Sequence, residues 1–148
     1  MALTNNARDA TMMGRRTDGT VIRRPLSPHL QVYDMLQITS GLSISHRITG
    51  SIWAGGLLFM VWWLVAAAAG PGPFATAQWF FSSFLGMLML FGLSAAAWYH
   101  TLAGIRHLMW DAGYGYDLPT THRTGRAVLI GTGVLTVLTW LIVIIAWG

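Results

Sequence analysis

Three long apolar stretches, divided by short polar or glycine- and proline-rich breaks, set the pattern of this chain. The first begins near Ser40 and runs to about Ala69, where Gly70-Pro71-Gly72-Pro73 ends it. The second runs from about Gln78 to Trp110, and the third from about Gly125 to Trp147, after a loop containing Gly113, Gly115 and Pro119. Each is long enough to cross a bilayer, which takes about 20 apolar residues per helix. The pattern therefore predicts an all-α membrane protein with three transmembrane helices over about 40–69, 78–110 and 125–147. The second would be a single helix of roughly 50 Å, longer than the ~30 Å hydrocarbon core, so it is expected to tilt or protrude. The first two turns of the first span are polar (Ser43, Ser45, His46, Arg47), and its lipid-facing part starts near Ile48.

Ahead of the spans the text is different. Residues 1–24 are polar and irregular, with Arg8, Arg15, Arg16, Arg23 and Arg24 among small residues, which predicts a flexible basic arm. At Arg24–Tyr33 the chain reads RPLSPHLQVY. Ser27 followed by Pro28 is an N-cap with proline at the first helical position, so a short interfacial helix is expected there. The domain division is then 1–24 for the arm and 25–148 for the membrane anchor.

Composition adds where the charges are. Hydrophobic residues make up 54% and charged residues 9%, against about 25% charged in a typical globular domain. Every charged residue lies within 8–47 or 106–126; from Ile48 to Ile105 and from Ala127 to Gly148 there is none. The net charge of +4 is better read as arginines that set topology than as a nucleic-acid surface, because they flank the spans. The arm and the 111–126 loop (Arg123, Arg126) are basic while the 70–77 loop is uncharged, which places the N-terminus and second loop in the cytoplasm. Trp53, Trp79, Trp110 and Trp147 fall near the expected span ends, as an interfacial belt would. Small residues at Gly86, Gly92, Ala95, Ala96, Gly131 and Gly133 suit close helix packing, including against a partner. There is no cysteine, which excludes disulfides, iron–sulfur ligation and covalent c-type haem attachment. The first 40 residues contain no apolar signal-peptide core.

Two constellations bear on chemistry. In Trp98–Asp111, WYHTLAGIRHLMWD, His100 is the one ionisable side chain deep within a span, and such residues are costly and usually functional. Gly104 and His107 share its helical face, one and two turns on, while Arg106 and Asp111 mark where the segment is expected to meet water. Haem ligation, a proton relay and an interhelical hydrogen bond are all open to such a histidine. Gly104 would let a flat macrocycle approach, and His107, with His46 and Arg47 at the same depth, would meet its propionate edge. The histidine lacks a counterpart at its own depth, so bis-histidine ligation would need another chain. At the entrance to the first span, Ser43, His46 and Arg47 stand at i, i+3 and i+4 and are expected to form one polar cluster. Ser43 would bond a quinone oxygen and Arg47 would stabilise negative charge on it as it is reduced. An arginine snorkelling to headgroups, with Ser43 as a cap, is the plainer reading of the same residues.

S-x-x-H-R-x-T-G at Ser43–Gly50, H-x-x-x-G-I-R-H at His100–His107 with Asp111 after it, and RPLSPHL at Arg24–Leu30 occur in order. Together they resemble the cytochrome b membrane-anchor subunit of succinate dehydrogenase, over about residues 23–115, with the three-span layout continuing the likeness. The resemblance implies that Ser43 and Arg47 belong to the ubiquinone site, that His100 is an axial ligand of the haem b iron, and that His46 and His107 lie near its propionates. It implies a second, smaller anchor subunit supplying the opposite histidine, completing a helical bundle. It also implies an iron–sulfur subunit and a flavoprotein subunit on the cytoplasmic face (the matrix face in mitochondria), where succinate is oxidised. The expected setting is a bacterial inner membrane, or a mitochondrial one. A haem-free structural anchor and a small proton-relay or transport subunit stand as the alternatives. The absence of a broken pair of apolar helices counts against transport.

Overall fold

The computed structural model describes residues 13–23 and 37–147, which fall in two units. The first holds an antiparallel hairpin, β1 (Met13–Arg15) and β2 (Val21–Arg23), with Gly14 opposite Ile22. Its turn is closed by Asp18, whose Oδ1 accepts from the Thr20 hydroxyl at 2.7 Å and the Thr20 N–H at 2.9 Å. Those two bonds hold the Asp18 carboxyl below the usual carboxylate range. Gly19 follows at φ +86°, a left-handed turn position that suits glycine. The irregular arm expected from composition thus contains a turn-driven hairpin at 13–23. The interfacial helix expected near 25–33 lies outside the described residues.

The second unit is helical: α1 (Ile38–Ala69), α2 (Pro71–Ser82), α3 (Phe84–Asp111) and α4 (Leu118–Trp147). Of these, α1, α3 and α4 are long and apolar enough to cross a membrane. Large apolar side chains are turned outward on all three, with Leu58, Phe84 and Ile145 at 72, 86 and 84% exposure. In water each would forgo roughly 2 kcal/mol of burial; a bilayer removes that penalty. The interior is correspondingly slight: Leu42, Tyr99, Ala103 and Val128, joined by Ile38 and Leu102, with α3 packed between α1 and α4.

The second apolar stretch differs from its expectation. The stretch after Gly70 is helical from Pro71, with proline in the first turn, rather than a loop up to residue 77. The stretch is then broken at Ser83, which adopts extended backbone (φ −69°, ψ 159°) between α2 and α3. Ser83 N–H donates to the Phe80 carbonyl at 3.1 Å and its Oγ accepts from Gly86 N–H at 3.1 Å, so one serine closes α2 and caps α3. Gly86 is required at that corner, since a Cβ there would lie well inside contact with the Phe80 carbonyl. A cap flanked by phenylalanines and leucine is hard to see within a continuous apolar run.

The third span also begins earlier than position 125. Asp117 caps α4, its Oδ2 accepting from Thr120 N–H at 2.9 Å, and Pro119 follows in the first turn. Hydrogen bonding from Thr120, with Arg123 adding a smaller effect, holds the Asp117 carboxyl below its ordinary range. The extra turns of α4 run beside the end of α3, and there Arg106 is 6% exposed. It does not mark contact with water. Its Nε donates to Thr124 Oγ1 at 3.0 Å and its Nη2 to the Thr121 carbonyl at 3.1 Å, while its Cζ sits 4.0 Å over the Trp110 ring. Arg106→Met keeps the stem and deletes the donors. It is expected to lower stability by about 2 kcal/mol, the scale of hydrogen bonds to a charged group. A lower thermal denaturation midpoint of the solubilised protein, with its absorption at low temperature unchanged, would register this.

Candidate functional site

His46, His100 and His107 come together between α1 and α3. The two helices run past each other so that the polar entrance of α1 meets the second half of α3. The His46 and His100 rings stack with centroids 4.1 Å apart and planes 4° from parallel, and His107 lies 4.9 Å from His46 at 52°. His107 in turn meets Trp110 edge to face at 5.2 Å. The imidazoles face one another instead of converging their nitrogens on a point. Correspondingly, no group of three or more His, Cys, Asp or Glu among the described residues is arranged to hold a bare metal ion.

The two ring nitrogens of His100 are differentiated. Its Nδ1 lies 3.1 Å from the His46 main-chain carbonyl. A carbonyl only accepts, so Nδ1 carries the proton and Nε2 presents a lone pair. This is the second-shell arrangement by which a metal-bound histidine is fixed in tautomer and ring orientation. The ring rests on α1 at Gly50, where a Cβ would stand 2.9 Å from His100 Cε1 and 3.3 Å from Nδ1. At Gly104, one turn beyond His100 on α3, a Cβ would face His46 Nε2 at 3.8 Å, an ordinary van der Waals contact. That His46 Nε2 is itself buried and has no hydrogen-bond partner among the described residues. Such an atom costs about 1–3 kcal/mol unless it is satisfied. An orphaned polar nitrogen and a cradle that a single methyl would fill both fit a histidine-ligated planar group.

Ser43 and Arg47 sit one turn apart on α1, as expected, but His46 does not join them. Its ring turns to α3 while Arg47 is exposed and Ser43 half-buried. Neither the Ser43 hydroxyl nor the Arg47 guanidinium has a partner among the described residues. From the middle of α1 onward a groove of about 580 Å³ runs between Trp53, Met60, Phe81, Leu93 and Trp98. Its polar edges are already used: Trp63 Nε1 donates to Gln78 Oε1 at 3.1 Å and Trp98 Nε1 to Thr139 Oγ1 at 2.9 Å. Trp53 lines this groove about midway along α1. Of the small residues noted in the sequence, Ala96 is buried and Gly131 meets Leu102, while Gly92 and Gly133 face open space. Gly50 closes the S-x-x-H-R-x-T-G motif, but the sequence gives it no role, because which residue of α3 faces it depends on the packing of the two helices.

Long apolar helices packed on a small interior define a multi-pass helical membrane protein with a histidine-centred site. The family model for the succinate dehydrogenase/fumarate reductase transmembrane subunit matches residues 20–139. The succinate dehydrogenase cytochrome b556 subunit of Paracoccus denitrificans is 49% identical over 119 residues, covering 80% of this chain and 91% of that one. A cytochrome b560 subunit of Reclinomonas americana is 38% identical over 82% of this chain and 87% of its own length. The mitochondrial cytochrome b560 subunit of Bos taurus is 40% identical over 76% and 68%. This chain belongs to the succinate dehydrogenase/fumarate reductase transmembrane subunit family.

Proposed function

We propose that this chain anchors a succinate dehydrogenase in the membrane, forms part of its ubiquinone-reduction site and ligates a b-type haem. The observation that carries the haem assignment is the His100 Nδ1–H bond to the His46 carbonyl, which leaves Nε2 free as a ligand on a spanning helix. His100 would hold the iron from one side, and a second, smaller anchor subunit would supply the opposite histidine. His46, with its unpartnered buried Nε2, and His107 beside it suit the propionates. When bound, the haem supplies a one-electron store beside the quinone.

Ubiquinone is the substrate at the head of α1. The Ser43 hydroxyl donates to one quinone oxygen, and the Arg47 guanidinium opposes the charge that gathers there as electrons arrive. Those electrons would come through the iron–sulfur subunit from a flavoprotein subunit, both on the cytoplasmic side with the N-terminus and the 111–126 loop. This chain contributes no flavin or hydride chemistry of its own, so succinate is oxidised in its partner. Native purification tests the reading. The chain is expected to copurify with three other subunits and to show a reduced-minus-oxidised b-type absorption band. A colourless assembly of normal stoichiometry would instead make it a haem-free anchor, and isolation without soluble partners would overturn the reading.

A further inference from the structure

We propose that Gly50 and Thr49 are positioning residues that set the electronic character of His100 through the His46 carbonyl. The inference rests on His100 being a haem ligand. Three features of α1 converge on that carbonyl. It accepts from His100 Nδ1 at 3.1 Å and also from Thr49 Oγ1 at 3.0 Å, and Thr49 divides its hydroxyl between this oxygen and the Ser45 carbonyl at 2.7 Å. Gly50, the next residue, is where the His100 ring touches the helix, close enough that any side chain must displace it.

The chemistry follows from how a ligated imidazole responds to its other nitrogen. A firm Nδ1–H···O=C bond shifts electron density toward Nε2, makes the ligand more basic and favours ferric over ferrous iron. Competition from Thr49 for the same oxygen weakens that bond. Gly50 permits it, because only a residue without Cβ lets the ring come down to the backbone. The two residues therefore pull in opposite directions. Gly50→Ala, with a methyl 2.9 Å from Cε1, pushes the ring off the carbonyl and is expected to raise the haem midpoint potential. Thr49→Val keeps the side-chain shape, removes the competing hydroxyl so that His100 shares the carbonyl only with the helical N–H of Gly50, and is expected to lower the potential.

Redox titration of the haem band in the purified complex, with its low-spin resonance spectrum, reads both shifts. Opposite shifts at unchanged subunit stoichiometry support the proposal. If Gly50→Ala prevents assembly, the Thr49→Val shift decides alone, since that change adds no bulk. Thr49→Val at the native potential and spectrum overturns the proposal, as does a shift of both variants in the same direction. His100→Leu in the same preparation separates this from the underlying assignment: an unaltered band there would remove His100 as a ligand, whereas its loss beside an unmoved Thr49→Val would reject only the positioning role.

Discussion

His100→Leu is expected to abolish the b-type absorption of the assembled complex, or to shift it, while the four subunits still copurify. Leucine is close to imidazole in volume and suits the apolar surroundings of α3, so loss of packing is small. What disappears is the Nε2 lone pair. The variant also withdraws the Nδ1 donor from the His46 carbonyl, which Thr49 Oγ1 continues to satisfy at 3.0 Å. A neighbouring effect is that the His46 ring, stacked at 4.1 Å on His100, loses its companion. The expected signature is therefore spectroscopic more than structural. An unchanged spectrum of the purified complex would exclude His100 as axial ligand and leave it as a satisfied interhelical hydrogen-bonding residue. His46→Leu, which spares the main-chain carbonyl, should keep the band.

The contrast between His100 and Arg106 shows what a sequence of this kind exposes. Spans follow from charge-free length, and a lone histidine within one stands out because burying an ionisable group needs a reason. The ring nitrogens' division of labour was not legible, because it depends on a main-chain carbonyl 54 residues earlier in the chain. Arg106 looked like a boundary residue because arginine ordinarily is one. It is buried because Asp117 caps α4 early enough to bring the Thr121 carbonyl and Thr124 hydroxyl beside it. The break at Ser83 was hidden for a related reason. Its cap serves two apolar helices, and hydropathy has no term for a hydrogen bond. Residue types announced the site; helix registers completed it.

Arg47→Ala should reduce electron transfer to ubiquinone by about 10²–10³-fold, the scale of removing one donor aimed at developing negative charge. Succinate oxidation with an artificial acceptor should remain near normal, and so should the haem band, because Arg47 takes no part in the α1–α3 contact that holds His100. Its exposed guanidinium has no partner among the described residues, and Ser43 stands one turn before it on the same face. No carboxylate among the described residues draws on that charge, which keeps it available to a ligand. The competing role, anchoring to lipid headgroups, makes a different forecast: truncation would leave quinone reduction intact, since one surface anchor among several arginines is dispensable. Equal loss with both acceptors would point to failed assembly, which the subunit ratio of the purified complex registers independently. Selective loss of quinone reduction, with haem and succinate oxidation intact, is the outcome only a quinone-facing arginine produces.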